Sequence, residues 1–282
     1  MLTQTNTRYG SMIFFRNDDP IGACLTYYGE WAQQELDLLS SILAPDSVVF
    51  DVGANIGTHT VAFSAMCPKG TIFCFEPQMY IFNLLVTNIT INQRFNVIPV
   101  NVGLSDTNSK IRMLQLNPFT DHQKVNYGEH KLNDGGKTGL WTNIITLDDY
   151  VDIIHRLDLI KLDVETMEVK VLNGGQKLIE KLKPMLYIEF SEKSGNDELL
   201  NKLDEMNYDC YLHVYNKHNE ENFKKQSKNV WEEDYFILTK DTMHKRYDAS
   251  ILCVHRDKKT STSLPKIKAG DSLYSFLSLI HI

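Results

Sequence analysis

The chain has 282 residues, enough for one large α/β domain with decorations, and is 43% hydrophobic and 23% charged, an ordinary globular balance. A formal charge of −7 excludes the broadly basic surface that nucleic acid requires, so no nucleic-acid partner is expected. Five cysteines, at 24, 67, 74, 210 and 253, form no C-x-x-C pair and are odd in number, which points to reduced thiols in a cytoplasmic protein rather than a disulfide framework or zinc site.

The N-terminal "MLTQTNTRYGSM" lacks a charged, then apolar leader, and no apolar run reaches the length of a membrane span, so neither a signal peptide nor a membrane span is expected. Residues 11–28 read as a strand pair, "SMIFF" and "ACLTYY", split by "RNDDPIG". Residues 30–43 carry Trp31, Leu36, Leu39 and Leu43 at helical spacing and end before Pro45. Strands and helices then alternate: strand 47–52, helix 58–67, strand 71–76, helix 78–92, strand 96–104 and a short strand 109–116. A polar, glycine-rich loop spans 117–140 and is expected as a lid over a binding site. A short strand and a helix follow, with Thr146 and Asp149 suited to the N-cap and an acidic third position. Strand 157–165, a helix interrupted at 173–175, strand 184–190, helix 196–207 and strands 208–215 and 234–240 complete the pattern. The basic run "NFKKQSKN" at 222–229 reads as a solvated loop.

This alternation predicts a mostly parallel seven-stranded sheet with helices on both faces and an antiparallel edge strand. Three segments are expected: strands and a helix packed on the core over 1–45, the main α/β domain over 46–240, and a C-terminal extension over 241–282. The apolar tail "SLYSFLSLIHI" is suited to dock as a helix or strand, including on a second subunit of a homo-oligomer.

In open α/β sheets, ligands bind at the carboxyl ends of the strands, and the first strand–helix turn is the usual place. Here "VVFDVGANIGTHT" carries Asp51-x-Gly53-x-x-x-Gly57. It lacks both the third glycine of a dinucleotide fingerprint and the Gly-Lys-Ser/Thr ending of a phosphate loop. An acid at the strand end suits a cationic amino group or hydroxyls and suits pyrophosphate poorly. The next strand ends in Glu76, where a carboxylate can accept both ribose hydroxyls. A glycine turn with this acid and no phosphate cradle points to S-adenosylmethionine, whose nucleoside is phosphate-free. The alternative for Gly53 and Gly57 is tight strand–helix packing alone, and for Glu76 an exposed strand-end carboxylate.

"FDVGANIGTHT", "FEP", "TLDDY", "LIKLDVETMEVKVLNGG" and "PMLYIEF" occur in order, and over about residues 30 to 215 the chain resembles the FkbM-type S-adenosylmethionine-dependent methyltransferases. Thr166 stands where the family has glycine after Glu165, which makes that turn less permissive. The resemblance implies a Rossmann-like methyltransferase fold and methyl transfer to a hydroxyl of a sugar, glycolipid or other small-molecule acceptor. It places Asp51, Gly53 and Gly57 at the methionine end, with Ala54, Asn55 and Thr58 from the same turn. Glu76, with Pro77 beside it, would hold the ribose, and Gly103, Leu104, Ser105 and Asp106 would lie against adenine.

The sulfonium is an activated methyl donor, so the enzyme's task is alignment, which contributes roughly 7–11 kcal/mol, and activation of an alcohol by a general base, roughly 10²–10⁴-fold. The candidates are Asp163, Glu165 and Glu168 of "KLDVETME" and Glu189 of "YIEF", with Lys161 on the same strand face as Asp163. Asp163 also counts among the cofactor-binding residues. Pairing with Lys161 would weaken a carboxylate as a base, and a buried Lys–carboxylate network that only shapes the pocket is the alternative. His59, near the first helix, is either within reach of the ligand or a packed or solvated helix histidine. His122 and His130, in the long loop, lack a third metal ligand; no metal is expected, although Asp163 and Glu189 offer oxygen ligands suited to magnesium. Two other classes stay open: a nucleotide-dependent oxidoreductase, which the glycine spacing opposes, and a methyltransferase-like binding module without catalysis.

Overall fold

A computed structural model describes residues 2–113, 126, 139–190, 196–230 and 247–271. The expected lid over 117–140, with His122 and His130, lies almost wholly outside these residues, as do strand 234–240 and the tail 272–282. Five parallel strands form the centre of the molecule: β3 (Val48–Val52), β4 (Thr71–Phe75), β5 (Val97–Val100), β9 (Leu159–Leu162) and β10 (Met185–Glu189). Their sequences are near-continuous apolar runs because both faces of the sheet are covered.

α2 (Gln33–Ile42), α3 (Thr58–Met66) and α4 (Met79–Ile91) pack on one face through Leu36, Leu39, Ala62, Phe63, Leu85 and Ile89. On the other face lie α5 (Glu168–Asn173), α6 (Gln176–Leu182) and α7 (Asn196–Glu205), through Val171, Leu172, Leu178, Ile179, Leu199 and Leu203. The result is the α/β fold with a mostly parallel sheet and helices on both faces that the sequence predicts.

Several elements differ from expectation. An antiparallel strand stands at the edge, as expected, but a second one lies inside the sheet. β12 (Tyr247–His255) inserts between β10 and β11 (Tyr208–Asn216), antiparallel to both, and the two-residue β13 (Lys266–Ile267) forms that edge, for eight strands in all. Segment 241–282, expected as an extension, therefore supplies an interior strand. Its buried run, Ile251, Leu252, Cys253 and Val254, needs β10 and β11 as neighbours, and no local signal names those partners.

Near the N-terminus, β1 (Leu2–Thr7) pairs with β2 (Gly10–Phe15), whereas "ACLTYY" lies in helix α1 (Ile21–Tyr27). Ile21, Cys24 and Leu25 are buried at helical spacing, a pattern that a short apolar run does not distinguish from a strand. The hairpin and α1 cover α3 and α4 through Met12, Phe14, Phe15, Ile21 and Leu25. Strand 96–104 is two strands: after β5 the chain leaves the sheet as β6 (Gly103–Leu104) and joins β7 (Ser109–Met113) and β8 (Leu140–Ile145) in a separate three-stranded sheet. The helix expected after Thr146 is a single 3-10 turn, Leu147–Tyr150, and Asp149 Oδ2 accepts the Thr146 N–H at 3.2 Å.

The basic run 222–229 is a largely exposed loop, as expected, with a few tethers to the rest of the fold. Asn222 is buried, and Lys224 Nζ donates to Leu25 O and Thr26 O of α1. All five cysteines are buried free thiols. No helix among the described residues is long and apolar enough to cross a membrane.

Candidate active site

Register brings the strand-end groups together. Asp51 pairs across the sheet with Lys161, and Lys161 with Tyr187, so these side chains share one face. Alternation then places Gly53, Asp163 and Glu189, each two residues further on, along the same face at the carboxyl ends. The chain leaves β3 through Gly53 at φ +80°, where an added Cβ would lie 1.8 Å from the Asp163 carbonyl oxygen. Only glycine permits that approach of the β3 and β9 ends.

Two adjoining cavities open at these ends and share Gly53, Glu76, Asp163 and Glu165. The smaller, about 50 Å³, lies between apolar groups of Val52, Phe75, Pro77, Val102, Leu104 and Val164, with Gly103 on its wall. The larger, about 190 Å³, is lined by Ala54, Asn55, Thr58 and His59 of the glycine turn, by Lys161 and Glu189, and by residues that motif reading does not single out: Trp31, Glu35, Tyr187, Tyr215, Lys217, Asp248 and Ser250.

Four residues of the expected cofactor set line neither cavity. Asp51 is fully buried beneath the turn and accepts a hydrogen bond from Thr60 Oγ1 at 2.5 Å. Gly57, at φ +90°, precedes the first turn of α3, and a Cβ there would lie 2.6 Å from Leu85 Cδ1 of α4, so close packing against α4 favours glycine there. Ser105 and Asp106 sit beyond the cavity, where the Ser105 carbonyl passes against Gly174. Glu168, at the start of α5, is buried outside both cavities.

Electrostatics divide the carboxylates. Glu76 is 4% exposed; its Oε2 accepts the Asn55 N–H at 3.0 Å and its Oε1 the Gln78 N–H at 2.8 Å. Burial outweighs these two donors and pushes its pKa up to about 7. Lys161 lies 3.1 Å from Asp163 Oδ2. Burial alone would lower the lysine, but the charges of Asp163, Asp51 and Glu35 outweigh it and hold Lys161 above its ordinary range. Glu189 goes well above the carboxylate range, first through burial and then through the charges of Asp163, Glu165, Glu168 and Asp248. Asp248, 3.2 Å from Lys217, is also raised by burial. Asp163, Glu165 and Glu189 bring carboxylate oxygens within 4.8 Å of one another, a set able to take a divalent cation, although Lys161 already engages Asp163.

Glu35 and His59 form a separate buried pair. His59 Nε2 lies 3.1 Å from Glu35 Oε1, and neither atom has a hydrogen-bond partner elsewhere. Tyr215 donates to Glu35 Oε2 at 2.7 Å. Burial would raise Glu35, but the charge and contact of His59, then Lys161 and Tyr215, hold it at about 2. The signal for Glu35 was present: an acid four residues before Leu39, on the apolar face of α2. Tyr215 and Asp248 carry no comparable local signal.

Residues 51–210 match the model of the methyltransferase FkbM domain, more than half of the chain. The chain belongs to the FkbM methyltransferase family. It is 32% identical over 144 residues to hexuronic acid methyltransferase AglP of Haloferax volcanii, covering 50% of this chain and 55% of AglP. It is 26% identical over 170 residues to 2-O-methyltransferase NoeI of Sinorhizobium fredii, covering 55% of this chain and 68% of NoeI. The chain thus spans about half to two thirds of these relatives. A crystal structure of methyltransferase FkbM from Methylobacillus flagellatus superposes with a TM-score of 0.46 at 15% identity, covering 82% of this chain and 51% of that one.

The cofactor of this FkbM family domain is S-adenosylmethionine, and the residues present fit it. The close Gly53–Asp163 approach leaves room for a ligand over the turn, the smaller cavity is apolar, and the larger is rich in carboxylates that favour a cationic ligand.

Proposed function

We propose that this FkbM family member is an S-adenosylmethionine-dependent O-methyltransferase acting on a hydroxyl of a sugar, glycolipid or similar small molecule, in the cytoplasm. The observation that carries the reading is the pair of cavities joined at Glu76, Gly53 and Asp163. The smaller would take adenine between Phe75, Pro77 and Leu104. Glu76, at the junction, would accept the ribose hydroxyls. The carboxylate-lined larger cavity would take the cationic methionine end and the acceptor. Bound there, the cofactor supplies an activated methyl group.

The acceptor class rests on the names of the relatives, one a hexuronic acid methyltransferase and the other a 2-O-methyltransferase. Trp31 on the cavity wall suits stacking on a sugar ring. The five free thiols support the cytoplasm.

Among Asp163, Glu165, Lys161 and Glu189, we assign the general base to Glu189. Its raised proton affinity suits it to take a hydroxyl proton, whereas Asp163 is held by Lys161. Isothermal titration with S-adenosylhomocysteine and NAD tests the cofactor: micromolar heats with the first and none with the second are expected. Transfer of labelled methyl from S-adenosylmethionine to a panel of sugars and uronic acids tests the acceptor. On the acceptor found, Glu189→Gln is expected to lower turnover by roughly 10²–10⁴-fold with unchanged S-adenosylhomocysteine affinity. Full turnover would remove Glu189 as the base.

A further inference from the structure

The amino-acid end of the cofactor carries a carboxylate as well as an ammonium group. Six carboxyl side chains line the larger cavity: Glu35, Glu76, Asp163, Glu165, Glu189 and Asp248. An incoming carboxylate therefore needs dedicated donors. Among the described residues, the basic side chains on the wall are Lys161, Lys217 and His59. Lys161 is engaged by Asp163 at 3.1 Å and Lys217 by Asp248 at 3.2 Å.

His59 differs in its placement. It is the second residue of α3, a nine-residue helix whose start bears no side-chain cap, so the first-turn N–H groups and the positive end of the helix lie beside it. It is only 6% exposed, yet lines the cavity, and its Nε2 meets Glu35 Oε1 at 3.1 Å with no hydrogen-bond partner elsewhere. Nε2 faces Glu35, which leaves Nδ1 as the ring nitrogen for a second partner. Tyr215 fixes Glu35 from the other side at 2.7 Å.

We propose that His59, seated against Glu35 and Tyr215 at the first turn of α3, receives the carboxylate of the cofactor's amino-acid end. The inference rests on the reading of the chain as S-adenosylmethionine-dependent. Glu35 and Tyr215 lie outside residues 51–210, so this receptor is completed by segments that flank the family domain. His59 is the binding residue; Glu35 and Tyr215 position it.

Two thioethers separate the possibilities. S-adenosylhomocysteine carries the amino-acid end, and 5′-methylthioadenosine shares the nucleoside and sulfur but lacks that end. Isothermal titration of the full chain should show tighter binding of the first. His59→Gln should weaken S-adenosylhomocysteine roughly ten- to hundredfold, the range for a hydrogen bond to a charged group, and leave 5′-methylthioadenosine unchanged. Tyr215→Phe should shift the first ligand alone, by a smaller factor. A damaged fold would weaken both ligands, so equal losses, or no loss for either, overturn the assignment. Equal wild-type affinity for the two also overturns it and leaves the methyltransferase reading standing. A wild-type chain that binds neither refutes the methyltransferase reading itself, and the assignment with it.

Discussion

Glu76 shows how one buried side chain links stability to ligand binding. Its carboxyl titrates near 4.5 unfolded and about 7 folded, because burial outweighs the donors Gln78 N–H and Asn55 N–H. The folded state therefore holds the proton more tightly, and the stability it lends is full below pH 4.5 and lost as pH rises through 7. The loss amounts to on the order of 3 kcal/mol, a large share of a typical folding free energy. Denaturant titrations from pH 4.5 to 8 should show this fall in the wild type and a shallower one in Glu76→Gln; equal slopes would contradict the burial argument. The same ionisation prepares Glu76 to accept ribose hydroxyls, so S-adenosylhomocysteine affinity should climb through pH 7 in the wild type. In Glu76→Gln it should be lower and insensitive to that step. Thr166 makes a different residue-scale case. Glu165 and Thr166 stand at φ +51° and +73°, two consecutive residues in the left-handed region. A β-branched side chain is poorly tolerated there. Thr166→Gly should raise the unfolding free energy by about 1 kcal/mol, the strain released exceeding the added chain entropy. A lower denaturation midpoint would mean that the threonine side chain contributes contacts worth more than the strain.

At the scale of elements, the β3–α3 turn uses its two glycines for different purposes. A Cβ on Gly53 would meet backbone, the Asp163 carbonyl oxygen at 1.8 Å, whereas one on Gly57 would meet the end of a flexible side chain, Leu85 Cδ1 at 2.6 Å. Leucine can shift, but the end of β9 cannot without parting from β3. Gly53→Ala should thus cost roughly 3 kcal/mol or more and abolish S-adenosylhomocysteine binding, and Gly57→Ala should cost roughly 1–2 kcal/mol with binding weakened but present. Thermal denaturation with ligand titration measures both, and the reverse order would refute the close-approach account. The contrast also explains what was legible in the sequence. Gly53, Glu76 and Asp163 lie at strand ends within contiguous motifs, so local spacing suffices to gather them. Asp51, in the same motif, is buried beneath the turn because strand alternation and the Thr60 hydroxyl draw it there, which spacing does not reveal. Helix α1 does not declare itself in the sequence, because a six-residue apolar run fits either period. The Glu35–His59–Tyr215 cluster joins α2, α3 and β11, and only the packed topology brings residues 35 and 215 within hydrogen-bond reach.

For the whole molecule, the cavity wall depends on segments far apart in sequence. Residues 215–230 clasp the N-terminal layer: Asn219 Nδ2 donates to Glu30 Oε1 at 2.9 Å, Lys224 N to Tyr28 O at 3.0 Å, and Val230 N to Tyr28 Oη at 2.8 Å. β12 follows and separates β10 from β11. Its four consecutive apolar residues, Ile251, Leu252, Cys253 and Val254, are buried on both faces of the sheet. At about 1.5–3 kcal/mol for each large aliphatic side chain, that burial is comparable with the 5–15 kcal/mol by which a typical domain is stable. Without it, β10 and β11 would each expose an unpaired edge, and β11 would lose its anchor together with Tyr215. A chain ending at residue 230 retains the whole family-matched region and every strand-end carboxylate except Asp248, so motif content alone would predict that it binds cofactor. The packing predicts the opposite: no cooperative unfolding transition and no heat with S-adenosylhomocysteine. Wild-type affinity in that fragment would show that the family-matched region folds without its inserted strand, and that the C-terminal segment serves the acceptor rather than the core.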